Sequence, residues 1–222
     1  MSKQLNLTLP VRTALGRDDF FVSPANAMAL GLVEGWPNWS GGKLIISGPS
    51  GSGKTHLVHV WAALSDARII AATDLEGSDI PDLARESVAV EDAHAIADSP
   101  DAQNALFHLH NLVLAEGHTL LVTGEGQPGH WGLTLPDLLS RMQGTTVASL
   151  EQPDDMLLSV VLAKLFSDRQ LAPHPDTIPY LVKQMDRSFE AARQLVEQLD
   201  QLSLSEQRPI TRALAKRVIE SD

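Results

Sequence analysis

The sequence has no cysteine. Disulfides and thiolate zinc sites are excluded, and the chain suits a reducing compartment. Basic residues are scarce as well: 17 Lys and Arg stand against 28 Asp and Glu, a net charge of -11. A protein that grips duplex phosphates carries a basic patch or stripe. Here the only basic concentration is Arg208, Arg212, Lys216 and Arg217, which reads as a charged helix face because no DNA-reading helix surrounds it. Long apolar runs are missing too, none approaching the ~18 residues of a membrane span. The N-terminus MSKQLNLTLP lacks the apolar core of a secretion signal. The expected location is therefore the cytoplasm, without membrane contact and without sequence-specific DNA binding.

What is present is a core of useful size. The 222 residues are 43% hydrophobic and 20% charged, enough for one large domain or a medium domain plus a small one. There is no internal repeat or low-complexity tract. Residues 1–18 read as an extended arm punctuated by Pro10 and Gly16. Residues 26–34 carry helical periodicity, followed by a turn-rich stretch. KLIIS at 43–47 is a short buried-strand pattern, and further strands are predicted at 68–72, 88–90, 119–123 and 145–150. Helices are predicted at 56–64, 102–115 and 135–142. Strands alternating with helices imply a parallel sheet covered on both faces. From Pro153 onward only helical periodicity remains. Asp154 and Asp155 begin one helix, where carboxylates complement the helix dipole, and others are expected at 176–184, 188–202 and 211–219. The expected organisation is an arm over 1–18, an α/β domain over 19–151 and a helical unit over 152–222.

Gly48-Pro49-Ser50-Gly51-Ser52-Gly53-Lys54-Thr55 fits G-x-x-x-x-G-K-[ST], with a strand before it and a helix after it. Glycines let backbone N–H groups turn inward around phosphates, and the helix N-terminus adds partial positive charge. Lys54 is expected to reach the β- and γ-phosphates and Thr55 to sit on Mg²⁺. The expected ligand is ATP or ADP with Mg²⁺. A P-loop NTPase supplies an acid from a second strand to hold the metal. VAVED at 88–92 is the candidate, with Glu91 at the metal position and Asp92 where water would be polarised. Glu91 is one methylene longer than the usual Asp, which puts strong metal binding in doubt, and a solvated acidic strand end is the simpler alternative. His56 directly follows the loop and is grouped with it as a nucleotide contact. Taken with His59 at i, i+3 it has no carboxylate partner at metal-ligand spacing. Packing or surface positions are expected for His59, His94, His108 and His110.

These residues also carry a resemblance. Phe20-Phe21-Val22, Asn26 and GPSGSGKTHL resemble the AAA+ domain of the bacterial initiator DnaA. TLLVTGEGQPGHWGLTLPDLLSRMQG, together with Met185-Asp186-Arg187 and Glu197-Gln198-Leu199-Asp200, resembles the Hda-type regulators related to DnaA. The resemblance covers nearly the whole chain. It implies an AAA+ P-loop NTPase domain with a central parallel five-stranded sheet, followed by a small all-α lid. By position it implies that Phe21, Val22 and Asn26 contact or support the base and that Thr123 is sensor 1. It makes Arg141 an arginine finger acting in trans, for which a surface salt bridge is the ordinary alternative. The sensor-2 arginine of the family falls on Glu190, leaving Arg187 and Arg193 as candidates to replace it. Gln4, Leu5, Leu7 and Leu9 match the Q-L-x-L-x-L peptide with which such proteins bind the β sliding clamp of DNA polymerase III. By pattern alone this alternation also fits an ordinary first strand.

The function implied is negative regulation of replication initiation. The protein would bind the clamp and DnaA and stimulate hydrolysis of DnaA-bound ATP, with weak or no ATPase activity of its own. No DNA-reading helix-turn-helix is expected after the lid. An autonomous P-loop ATPase acting on another partner, or a non-catalytic DnaA-binding assembly module, are the alternatives. Head-to-tail homo-oligomer and monomer both remain open.

Overall fold

The computed structural model describes residues 16–17 and 20–220. The arm motif Gln4, Leu5, Leu7 and Leu9 lies outside these residues.

Five strands form one parallel sheet in the order β2-β3-β4-β1-β5: β1 (Lys43–Ser47), β2 (Arg68–Ala71), β3 (Val88–Glu91), β4 (Leu120–Gly124) and β5 (Val147–Ser149). Their side chains alternate between two buried cores. Ile45, Val88, Val90, Leu120 and Val122 face one core, whereas Leu44, Ile46, Ala89 and Leu121 face the other. This two-sided burial is why the strands read as continuous apolar runs instead of alternating ones. The first core is closed by α3 (Ile80–Leu83), α4 (Pro100–Ala115) and α5 (Pro136–Gln143), the second by α1 (Ala27–Glu34) and α2 (Lys54–Ser65). The elements expected before Pro153 are found with their ends displaced by at most two residues, and α3 is an addition to them. At four residues it is too short to show periodicity. Asp79 caps it, accepting from the Asp82 amide at 3.1 Å.

After β5 the chain is all helix: α6 (Asp155–Asp168), α7 (Thr177–Gln184), α8 (Phe189–Glu206) and α9 (Arg212–Ile219). Each of α6, α8 and α9 starts on a capping side chain: Asp154 accepts from Leu157 N at 2.7 Å, Ser188 from Ala191 N at 3.0 Å and Thr211 from Leu214 N at 3.4 Å. Leu158, Leu162, Phe166, Leu181, Val196, Leu199 and Leu214 make a third, separate core. α8 runs four residues beyond the sequence expectation, through Ser203 to Glu206. The basic face near the end is engaged within this bundle. Arg217 and Arg208 pair with Glu206, Lys216 pairs with Glu220, and Arg212 lies over the Tyr180 ring at 5.0 Å. No helix among the described residues is long and apolar enough to cross a membrane.

Phe166 is fully buried in the helical bundle. Phe166→Ala is expected to cost the bundle ~3–5 kcal/mol through lost transfer energy and a residual cavity, read as a lowered midpoint in chemical denaturation.

Candidate functional site

In a parallel sheet every strand ends at the same edge, and ligands gather outside the carboxyl ends. That edge collects the 48–55 loop after β1, Glu91 and Asp92 at the end of β3, and Thr123 to Glu125 at the end of β4. Two bonds tie it together. The Asp92 amide donates to Thr123 Oγ1 at 3.0 Å, and Ser47 Oγ donates to Gly126 O at 2.6 Å. Asp92 adopts a left-handed conformation, φ 57°, which a short polar side chain tolerates better than most. Thr123 is buried, so its hydroxyl is fixed between the strands.

Within the loop, Gly51 (φ 69°) and Gly53 (φ 99°) occupy left-handed conformations that glycine takes without steric cost. They also leave no room for a side chain. A Cβ on Gly51 would stand 2.3 Å from Ser188 Cβ, and one on Gly53 would stand 3.0 Å from the Phe189 ring. The start of α8 thus lies directly on the loop, and the Phe189 amide donates to Gly51 O at 3.1 Å. Lys54 is only 7% exposed. Its Nζ donates to Gly48 O at 2.9 Å and Pro49 O at 3.0 Å, with Glu125 Oε1 at 3.9 Å. Burial holds its pKa below the ordinary range, while Glu125, Asp92 and Glu91 pull it back up. Ser52 Oγ is buried and makes no hydrogen bond. A cradle with two left-handed glycines, an orphan hydroxyl and a lysine capping its own carbonyls fits a phosphate chain well. For a cation the fit is sparser. Thr55 and Glu91 are available, but no group of three His, Cys, Asp or Glu among the described residues forms a metal set.

Asn26 organises the segment beside the loop. Its Nδ2 donates to Phe21 O at 2.8 Å and its Oδ1 accepts from Ser23 N at 2.9 Å. Phe21 and Val22 are left exposed, at 39% and 47%. His56 meets Phe20 edge-on at 5.1 Å, and its Nε2 lies 3.0 Å from Gly16 O. Phe20 itself is buried and reaches toward Gly53.

The two lid arginines point elsewhere. Arg187 bonds Pro153 O at 3.1 Å and pairs with Asp155, while Arg193 pairs with Glu190 at 3.4 Å. Glu190 also accepts from Gln194 at 2.9 Å.

Arg141 stands apart from this edge. It lies in the last turn of α5, where its carbonyl accepts from Thr145 Oγ1 at 2.7 Å and from Lys43 Nζ at 3.4 Å. Lys43 opens β1, whereas the loop follows the end of β1. Five residues at ~3.3 Å each separate the two ends of that strand by on the order of 15 Å. Arg141 is exposed, and among the described residues no carboxylate pairs with it.

Sequence reasoning passed over Glu125, Ser188 and Phe189. Glu125 is visible as the acid just after β4, in TGEG. The two lid residues carry no local chemical pattern, and only the docking of α8 brings them to the loop.

Residues 159–219 match the family model described as the Hda lid domain. The chain is also similar to solved structures. Domain III of the Thermotoga maritima replication initiation protein DnaA aligns with TM-score 0.81 at 18% identity, over 96% of this chain and 98% of that one. AMPPCP-bound DnaA from Aquifex aeolicus aligns with TM-score 0.69 at 18% identity, over 82% and 64%. The Thermotoga maritima RuvB Holliday junction branch migration motor aligns with TM-score 0.66 at 16% identity, over 81% and 61%. The architecture is that of an AAA+ domain carrying a helical lid. The helical end thus matches the Hda lid model, on a fold shared with DnaA domain III and RuvB.

Two outcomes follow from this geometry. Gly51→Ala would add left-handed strain of ~1–2 kcal/mol and drive Ser188 off the loop. Titration with a fluorescent adenine nucleotide is expected to show weakened binding and a lid more open to proteolysis. The second outcome concerns His110 on α4, whose pKa is held below 6.5 by burial, against a raising bond to Asn111, with Lys43 and Arg141 lowering it further. The unfolded chain therefore binds the extra proton more readily, and stability is lost as pH falls below that ordinary value. In denaturation series between about pH 7 and pH 5.5, His110→Gln is expected to flatten the slope of stability against pH.

Proposed function

We propose that this protein is a regulator of chromosomal replication initiation that docks on ATP-bound DnaA and presents Arg141 to the nucleotide held there. The observation that carries this reading is the placement of Arg141. It is exposed, unpaired among the described residues, and fixed at the opposite end of β1 from the chain's own loop. An arginine so placed cannot serve its own site and suits a site on another molecule. A guanidinium supplied in trans stabilises charge on a transferring phosphoryl group and is worth about 10³–10⁵ in rate.

The chain's own loop serves a different purpose on this reading. Bound ATP or ADP would supply negative phosphates, and with Mg²⁺ a bridging cation, at the strand ends. Gly51, Ser52, Gly53 and Lys54 would hold the phosphates, Thr55 and Glu91 the cation, and Phe21 and Val22 the base. Two features disfavour vigorous turnover there. Glu190 stands in the sensor-2 position, and both nearby arginines are already paired with lid carboxylates. Nucleotide would instead set the angle between the α/β unit (19–151) and the lid (152–222), by displacing the Phe189 amide from Gly51. The arm, through Gln4, Leu5, Leu7 and Leu9, would recruit the protein to the sliding clamp by peptide-in-groove contacts.

The test is hydrolysis of DnaA-bound ATP in the presence of clamp-loaded DNA. Wild-type protein is expected to stimulate it, and Arg141→Ala to abolish the stimulation while leaving nucleotide binding by the chain intact. Full stimulation by Arg141→Ala would sink the finger. Gln4→Ala with Leu5→Ala is expected to abolish clamp binding in a pull-down, and unchanged clamp affinity would remove the arm from the scheme.

A further inference from the structure

Lys43 is placed in a way that its local charge balance opposes. The chain carries an excess of acids, yet the influences on Lys43 that the structure resolves, burial first and then Arg141, lower its pKa, and no carboxylate offsets them. Bringing two cations together at a partly buried site is unfavourable on electrostatic grounds alone. Such an arrangement persists only where other contacts hold it.

Those contacts come from three elements. From α4, His110 is almost wholly buried, with Nε2 3.2 Å from Lys43 Nζ and Nδ1 3.2 Å from Asn111 Oδ1. An ammonium can only donate, so Nε2 must accept and the imidazole is neutral with its proton on Nδ1. The same tautomer lets Nδ1–H donate to Asn111. From α5, the Arg141 carbonyl accepts a second bond from Lys43 at 3.4 Å. A cation at a helix C-terminus is favourable for the dipole, so the ammonium is attracted to the backbone of Arg141 and repelled by its side chain. Thr145, itself buried, seals the same carbonyl from the other side at 2.7 Å.

We propose that Lys43, held by His110, is a positioning residue for Arg141. It fixes the α5 turn through the Arg141 carbonyl and, by like-charge repulsion, turns the guanidinium away from the body of the protein toward the anionic phosphates of the partner's nucleotide. The proposal rests on the reading of Arg141 as a finger acting in trans. It gives Lys43 no contact with the nucleotide.

The experiment uses the full chain, ATP-bound DnaA and clamp-loaded DNA, and follows hydrolysis of DnaA-bound ATP as the regulator concentration is raised. Small misplacements of a catalytic group cost up to about 10²-fold. Lys43→Met is therefore expected to lower maximal stimulation by roughly 10–100-fold, with the half-saturating concentration and the thermal midpoint of the isolated protein little changed. Lys43→Arg, which can still donate to both His110 and the carbonyl, is expected to restore most of the loss. In an Arg141→Ala background Lys43→Met is expected to add nothing. Full maximal stimulation by Lys43→Met, or a further loss on top of Arg141→Ala, would overturn the positioning role while leaving the finger standing. Full stimulation by Arg141→Ala alone overturns the finger and this proposal with it. If Lys43→Met does not fold, Lys43→Gln removes the positive charge while keeping an amide donor at the same position. It is expected to reduce the maximum in the same manner, and an unchanged maximum overturns the proposal.

Discussion

Everything else in the molecule depends on the strands being parallel and buried on both faces. Parallel pairing forces each connection to cross from one end of the sheet to the other. All strand exits therefore fall on one edge and all strand entries on the opposite one. The exits gather the 48–55 loop, Glu91, Asp92, Thr123 and Glu125 without any of them being near in sequence. The entries place Lys43 at the far edge, where α5 delivers Arg141 and α4 delivers His110. One topology thus makes two chemically distinct ends. The first surrounds a single buried lysine with three carboxylates, and the second places two cations together with no offsetting acid.

The lid joins the first end but not the second. α8 begins with Ser188 and Phe189 pressed on Gly51 and Gly53, so the glycines serve the lid as much as any phosphate. The Phe189 amide takes the Gly51 carbonyl, while Lys54 takes the carbonyls of Gly48 and Pro49. The Gly48, Pro49 and Gly51 carbonyls are thereby satisfied internally, while the buried Ser52 hydroxyl has no partner. A phosphate that drew Lys54 outward would uncap the Gly48 carbonyl, whereas Pro49 O would keep the Ser52 amide, and would crowd Ser188. On the proposed reading, steric contact between Gly51 and Ser188 would couple phosphate binding to lid position without an arginine in the lid.

Much of this was legible beforehand, for reasons that can be named. The strands were found because burial on both faces leaves dense apolar runs such as KLIIS and TLLVT. The loop was found because its glycines, lysine and threonine have few other uses in that order. Helix starts were readable where a capping side chain marks them, as at Asp154. α3 is not legible in the sequence because four residues cannot display a period, and its Pro81 is a first-turn residue. The site was less legible than the fold. Phe189 and Ser188 matter only through a contact between units some 140 residues apart in sequence. His110 reads from sequence as one more packing histidine, and nothing in the sequence pairs it with Lys43, 67 residues away. A side chain whose role comes from tertiary neighbours leaves no trace in local spacing.

Arg141 shows how charge and topology combine. In a chain with net charge -11, an exposed arginine would normally find a carboxylate, as Arg68, Arg85, Arg187, Arg193 and Arg217 do. Exposed pairs of that kind are worth little, about 0–1 kcal/mol each, so forgoing one costs the fold almost nothing. On the finger reading, the guanidinium would meet an incoming anion already free of a competing carboxylate. Lys43 reinforces this at the same spot, since any local acid would also have been drawn to its ammonium. The excess of acids over the rest of the surface then works in favour of specificity. On the proposed reading, a partner's phosphates would be repelled over most of the surface and attracted at Arg141, so electrostatics would orient the encounter as well as drive the contact.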